Sequence, residues 1–183
     1  MFTFRRLLLA SACAGLMFLG GPAGAKEPGM PAPASGEKAP AGPDPVMKAT
    51  LEDLKLNYEI GPRGDFKLIF EVEGGRTQLL FIQSEMESYA GTDIREIWSP
   101  IMKVQGPLEA GLANQLLEDS QDRKIGGWQV VNLGGEEGQE ERLVVYAIKM
   151  PDPKDPQVLY RMIQAVMLSA DEMEEKLTKK DEF

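Results

Sequence analysis

The chain of 183 residues predicts one α+β domain over residues 50–180, with its elements in the order α-β-β-β-α-β-β-α. Three observations predict it. Phe66, Leu68, Phe70 and Val72 alternate with Lys67, Ile69, Glu71 and Glu73, and a period of two marks a half-buried strand. Gly74-Gly75 then supplies the positive-φ positions of a tight hairpin, behind which an apolar segment returns. Finally, Leu159, Ile163, Val166, Ala170, Met173 and Leu177 recur at helical spacing after Asp155-Pro156, an N-cap with a proline behind it.

The first helix is expected from Thr50, which with Asp53 resembles a capping box and places Leu51 and Leu54 at the first apolar positions. An extended segment follows over Asn57–Ile60, then a turn at Gly61-Pro62-Arg63-Gly64. After the hairpin, Arg76–Gln83 carries Leu80 and Ile82 on one face and Leu79 and Phe81 on the other, the pattern of a central strand. A polar stretch over Ser84–Thr92 leads into Asp93–Val104, where Ile94, Ile97, Trp98 and Ile101 would also suit a helix. Pro100 would cost such a helix about 3 kcal/mol or more, so the segment reads as a strand with a break or bulge at Ser99-Pro100.

A second helix is expected to start at Gly106-Pro107, where the missing N–H of proline does no harm. Leu108, Leu112 and Leu116 make one apolar stripe, whereas Ala110, Ala113 and Leu117 fall on the far side. A helix covering only its own sheet has no need of a second apolar side, and small residues there admit another helix. Gly126-Gly127 precedes a strand over Trp128–Leu133, Gly134–Gln139 is an acidic turn, and Glu141–Met150 is a strand apolar on both faces. Tyr160 and Met167 widen the stripe of the last helix, and Glu172–Phe183 reads as a solvated helix terminus that frays.

Ahead of the domain, residues 1–25 have the three parts of a signal peptide: Arg5-Arg6, an apolar run over Leu7–Leu19, and the small residues of Ala23-Gly24-Ala25. The run of 13 residues is shorter than the roughly 20 needed to span a bilayer. Cleavage after Ala25 is the expected processing. A lipoprotein box at Ala10-Ser11-Ala12-Cys13, which would anchor the chain to a membrane through Cys13, and a twin-arginine signal at Arg5-Arg6 are the alternatives. Each places the domain outside the cytoplasm, in a periplasm or secreted. Residues 26–49 hold six prolines and almost no large apolar residue, so they read as a disordered, proline-rich linker.

The chain has no histidine, and its one cysteine, Cys13, lies in the leader. The mature chain therefore lacks Ser–His and Cys–His pairs, zinc sites built on nitrogen or sulfur, and disulfides. Loss of Arg5 and Arg6 moves the net charge from −9 to −11, a balance that opposes nucleic-acid phosphates. The carboxylate pairs Glu71/Glu73 and Glu85/Glu87 read as solvent dressing rather than an acid/base pair. Glu136-Glu137 and Asp152-x-x-Asp155 lack the oxygen spacing of a calcium loop. Met86, Met102, Met150, Met162, Met167 and Met173 form no close pair for a copper site and read as core. No cofactor or metal is expected.

Four segments carry a resemblance to a known family: LEDLKLNYEI, the hairpin FKLIFEVEGGRTQLLFIQ, NQLLEDSQ before GGWQVV, and VLYRMIQAVMLSADEMEEKL. In their order and apolar positions they resemble the type III secretion chaperone-like fold, and more closely its YbjN-like group, described as bacterial sensory transduction regulators. The resemblance implies a five-stranded antiparallel sheet with helices packed against it, and dimerisation through the second helix. The leader and the proline-rich linker depart from the cytoplasmic secretion chaperones.

The expectation is an exported, non-enzymatic protein-binding module, chaperone-like or regulatory, acting as a homodimer on an unidentified protein or peptide. A small-ligand or envelope-binding module is the alternative, with a carboxylate-only hydrolase behind it. Leu108, Ala110, Leu112, Ala113 and Leu117 are the candidate interface residues, together with Trp98 and Trp128 as aromatic anchors.

Overall fold

Asp44 caps the first helix by accepting hydrogen bonds from the N–H groups of Val46 and Met47 at 2.8 and 3.3 Å. With Pro45 at the first helical position, this cap starts α1 (Pro45–Asp53). The helix expected from Thr50 thus begins five residues earlier, because Asp44-Pro45 is the stronger cap and Thr50 turns its hydroxyl back onto Val46 O. A computed structural model describes residues 42–135 and 140–183. The leader, Cys13, most of the linker and the acidic pair Glu136-Glu137 lie outside the described residues.

The following elements are β1 (Glu59–Ile60), β2 (Phe66–Glu71), β3 (Thr77–Ile82), β4 (Glu87–Tyr89) and β5 (Thr92–Gln105). Then come α2 (Ala110–Asp122), β6 (Gly127–Gly134), β7 (Glu141–Pro151) and α3 (Pro156–Thr178). The strands form one antiparallel sheet in the order β1-β2-β3-β5-β7-β6, with β4 paired to β5. The sheet has seven strands and not five. The five expected strands are present, and the two additional ones are β1 and β4, of two and three residues. β1 lies in the extended segment expected over Asn57–Ile60, whereas β4, short and exposed, leaves no periodicity to read.

Gly74 and Gly75 both have positive φ and close the β2–β3 hairpin through a single 3-10 turn over Glu73–Gly75. Pro100 sits inside β5, and the register against β7 shifts between Pro100 and Met102, so the expected bulge is present. The second helix starts at Ala110 behind Glu109, not at Gly106-Pro107. Gly106 has positive φ and Pro107 belongs to the approach.

Alternation along β7 divides the sheet into two faces. Val144, Tyr146 and Ile148 point into the main core, which α1 enters with Met47 and Leu51, and α3 with Leu159, Ile163, Val166, Ala170 and Met173. Leu143, Val145 and Ala147 point the other way and form a second, smaller cluster with Trp98 and Phe183. Met102, Met150, Met162 and Met167 pack at the rim of the main core.

Two buried polar groups lock this frame. Arg95 is completely buried in β5 and holds Asp152 through Nε at 2.8 Å, Gln83 O through Nη1 at 2.8 Å, and Asp44 through Nη2. Burial raises the pKa of Asp44, but the Arg95 hydrogen bond and the two helix N–H groups outweigh it and hold the carboxyl below its usual range. Glu174, in α3, is also fully buried and accepts the Glu182 N–H at 2.8 Å. Burial pushes its carboxyl above the ordinary glutamate value, only partly offset by that bond and by Arg76. The end expected to fray is therefore docked: Met173 and Glu174 are buried, and the tail beyond Thr178 folds back on the sheet.

Candidate functional site

The exposed margin of the fold lies where α2 packs beside β6, the last strand of the sheet order. Between them runs an apolar groove of about 180 Å³ lined by Leu108, Ala113, Leu116, Leu117, Trp128, Gln129 and Val130. Leu116 is the buried floor, whereas Leu117 on the next position is 64% exposed. Val130 of β6, which lines the groove, is exposed, as are Leu133 and Val131, whose partner Leu143 faces the other side of the sheet. An edge strand with apolar side chains and one unpaired backbone side is a template for a further chain.

Polar contacts hold the groove rigid from beneath. Trp128 Nε1 donates to Asp119 Oδ2 at 2.7 Å, and Trp128 N–H donates to Ser120 Oγ at 3.0 Å. Arg123 meets both oxygens of Asp119 at 2.9 and 3.0 Å and reaches across to Glu172 of α3 at 2.9 Å. Burial raises the pKa of Asp119, but Arg123 and the Trp128 indole overcome it, so the carboxyl lies below its usual range. Those two acids hold the guanidinium of Arg123 more firmly protonated than usual. Trp128 also meets Tyr146 edge-to-face at 4.9 Å between ring centroids.

The expected interface residues divide three ways. Leu108, Ala113, Leu117 and Trp128 converge on the groove. Leu112 faces inward and packs against the main core, and Ala110 is exposed at the first turn of α2 without lining the groove. Trp98 stands apart from the groove, on the opposite face of the sheet, stacked on Phe81 at 4.3 Å. Gln129, Val130, Val131 and Leu133 were not singled out by their spacing. A valine-rich strand reads alike at a sheet edge and at its centre, so only the strand order exposes them.

Two of the carboxylates weighed for chemistry are engaged elsewhere. Asp152 pairs with Arg95, and Asp155 caps α3 by accepting the Gln157 N–H at 2.8 Å. Among the described residues no group of three or more acidic, histidine or cysteine side chains is placed to hold a metal ion. No helix among them is long and apolar enough to cross a membrane. Comparison with family models, curated proteins and solved structures finds no match to this chain.

Proposed function

We propose that this protein is an exported, non-enzymatic module that binds other polypeptides and pairs with a second copy of itself through α2 and β6. The observation that carries this reading is the groove, in which Leu108, Ala113, Leu117 and Trp128 present an apolar surface beside an exposed edge strand. Its size favours a macromolecular surface over a small ligand. The groove offers about 180 Å³, whereas small-molecule sites enclose about 300–1,000 Å³. The YbjN-like resemblance supports the same reading through its implied dimer, and the chaperone-like or regulatory role rests on that resemblance alone.

Light scattering on residues 26–183 tests the pairing. A mass of two chains at micromolar concentration is the expected result, and a strict monomer at high concentration overturns it.

A further inference from the structure

The outer side of β6 is closed at one point and open beyond it. Trp128 N–H points away from β7, because it donates to Ser120 Oγ of α2 at 3.0 Å. The ladder to β7 runs without a shift from Gly127–Ala147 to Asn132–Arg142. In an antiparallel pair, residues whose N–H and C=O both face the partner strand alternate with residues that face away. Val130 and Asn132 therefore turn their backbone groups outward with Trp128, whereas Gln129 and Val131 bond to β7.

The other side of β7 gives the same alternation independently. Asp152 N–H donates to Asp93 O, and Gly106 N–H donates to Glu140 O. The even-numbered residues of β7 thus bond to β5. Leu143, Val145 and Ala147 are left to bond to β6, opposite Val131, Gln129 and Gly127. Among the described residues no strand pairs with the outer side of β6, and Val130–Gly135 is exposed throughout. The N–H and C=O of Val130 and of Asn132 are the groups this edge offers.

Charge points to what fits there. The chain carries a net charge of −9, and a charge far from zero holds copies of a protein apart. Yet no residue from Ile125 to Gly135 is charged, and neither is any residue lining the groove. A basic partner, drawn to an acidic chain elsewhere, finds no counter-charge on this strand. Two copies meet along it without like charges directly opposed.

We propose that two copies join β6 to β6, antiparallel about a two-fold axis at Val131, into one sheet continuous across the dimer. This rests on the pairing proposed above and supplies its geometry. The free groups set the register. Val130 of each copy exchanges both bonds with Asn132 of the other, which uses every outward group of these residues and asks nothing of Trp128. Centring the axis on Val130 would oppose Asn132 to Trp128, whose N–H is already given to Ser120. Val131 then faces its own copy in a non-hydrogen-bonded pair, with Cα atoms about 4.5 Å apart.

Disulfide trapping tests the register, in the full chain carrying Cys13→Ser so that each added thiol is the only one. Under mild oxidation Val131→Cys should link into dimers at least tenfold faster than Val130→Cys or Asn132→Cys. Its Cα spacing suits a disulfide, whereas Val130 and Asn132 face each other and not themselves. Equal or slower linking by a folded Val131→Cys, in a protein that light scattering finds dimeric, overturns the strand pairing and leaves the dimer standing. A strict monomer overturns both. Should Val131→Cys not fold, hydrogen exchange on the unaltered chain decides. Dilution from dimer to monomer should speed exchange of the Val130 and Asn132 amides at least tenfold and leave that of Val131 unchanged. Unchanged exchange at Val130 and Asn132 overturns the proposal.

Discussion

Arg95 Nη2 donates to Asp44 Oδ2 across 51 positions of sequence, joining the buried middle of the fold to the N-cap of its first helix. The same guanidinium holds Asp152, just past β7, so one cation neutralises two carboxylates that are themselves almost wholly buried. Deleting it leaves Asp44 without its counter-charge and Asp152 with only the exposed Lys154. Arg95→Ala should therefore cost about 3–5 kcal/mol, the range for breaking a buried ion pair from one side. Urea unfolding at neutral pH measures this, and a loss below about 1 kcal/mol would contradict the arrangement.

Asp44 makes the stability depend on acid in a defined direction. Its carboxyl is held below the ordinary aspartate value in the folded protein. The stabilisation is thus complete above the unfolded value and disappears as pH falls through the lower folded one. Urea midpoints taken from pH 6 down to 2 should fall for the unaltered chain. Asp44→Asn, less stable at pH 6, should lose less over the same window, and parallel curves would count against the Arg95 contact as the cause.

Two glycines of similar backbone conformation should respond differently to alanine. Gly126 has φ +74, and a Cβ there would sit 2.6 Å from Ala147 O and 2.9 Å from Ile148 Cγ1. Gly74 has φ +79 with nothing within 4 Å. Gly74→Ala should cost about 1 kcal/mol, the penalty of left-handed backbone alone. Gly126→Ala should cost distinctly more, since backbone must also move. Thermal or urea melts of the two variants side by side check the order.

Leu117→Glu separates assembly from folding. The side chain is 64% exposed, so the folded monomer should change by less than about 0.5 kcal/mol. The dimer should weaken by at least tenfold in sedimentation equilibrium. An unchanged dissociation constant would move the interface away from α2.

Much of this fold was legible because its longer elements carry strong local signals. The β2–β3 hairpin, the bulged β5 and the capped α3 each combine a clear period with punctuation by glycine or proline. Legibility failed where a residue's role depends on something distant. Asp44 and Pro45 looked like the end of a proline-rich linker, yet Arg95 recruits Asp44 into the core. The acidic tail looked solvated because nothing nearby signals that Glu174 is buried and binds it. Trp98 and Trp128 seemed equivalent anchors, but the strand order places one at the groove and the other on the far face of the sheet.

The narrow junction of β3 with β5 has a mechanical consequence. β1–β2–β3 is one ribbon and β5–β7–β6 another, joined by two facing residue pairs and the adjoining Gln83 N–H to Glu96 O bond. Such a sheet does not bend as a uniform plate; it folds along a crease at Phe81–Trp98. The splint across that crease is α3, which rests on β3, β5 and β7 together. Load carried into either ribbon is resisted chiefly by one helix, and its lower turns, around Asp171 and Glu174, are the ones that grip Arg76 on the smaller side.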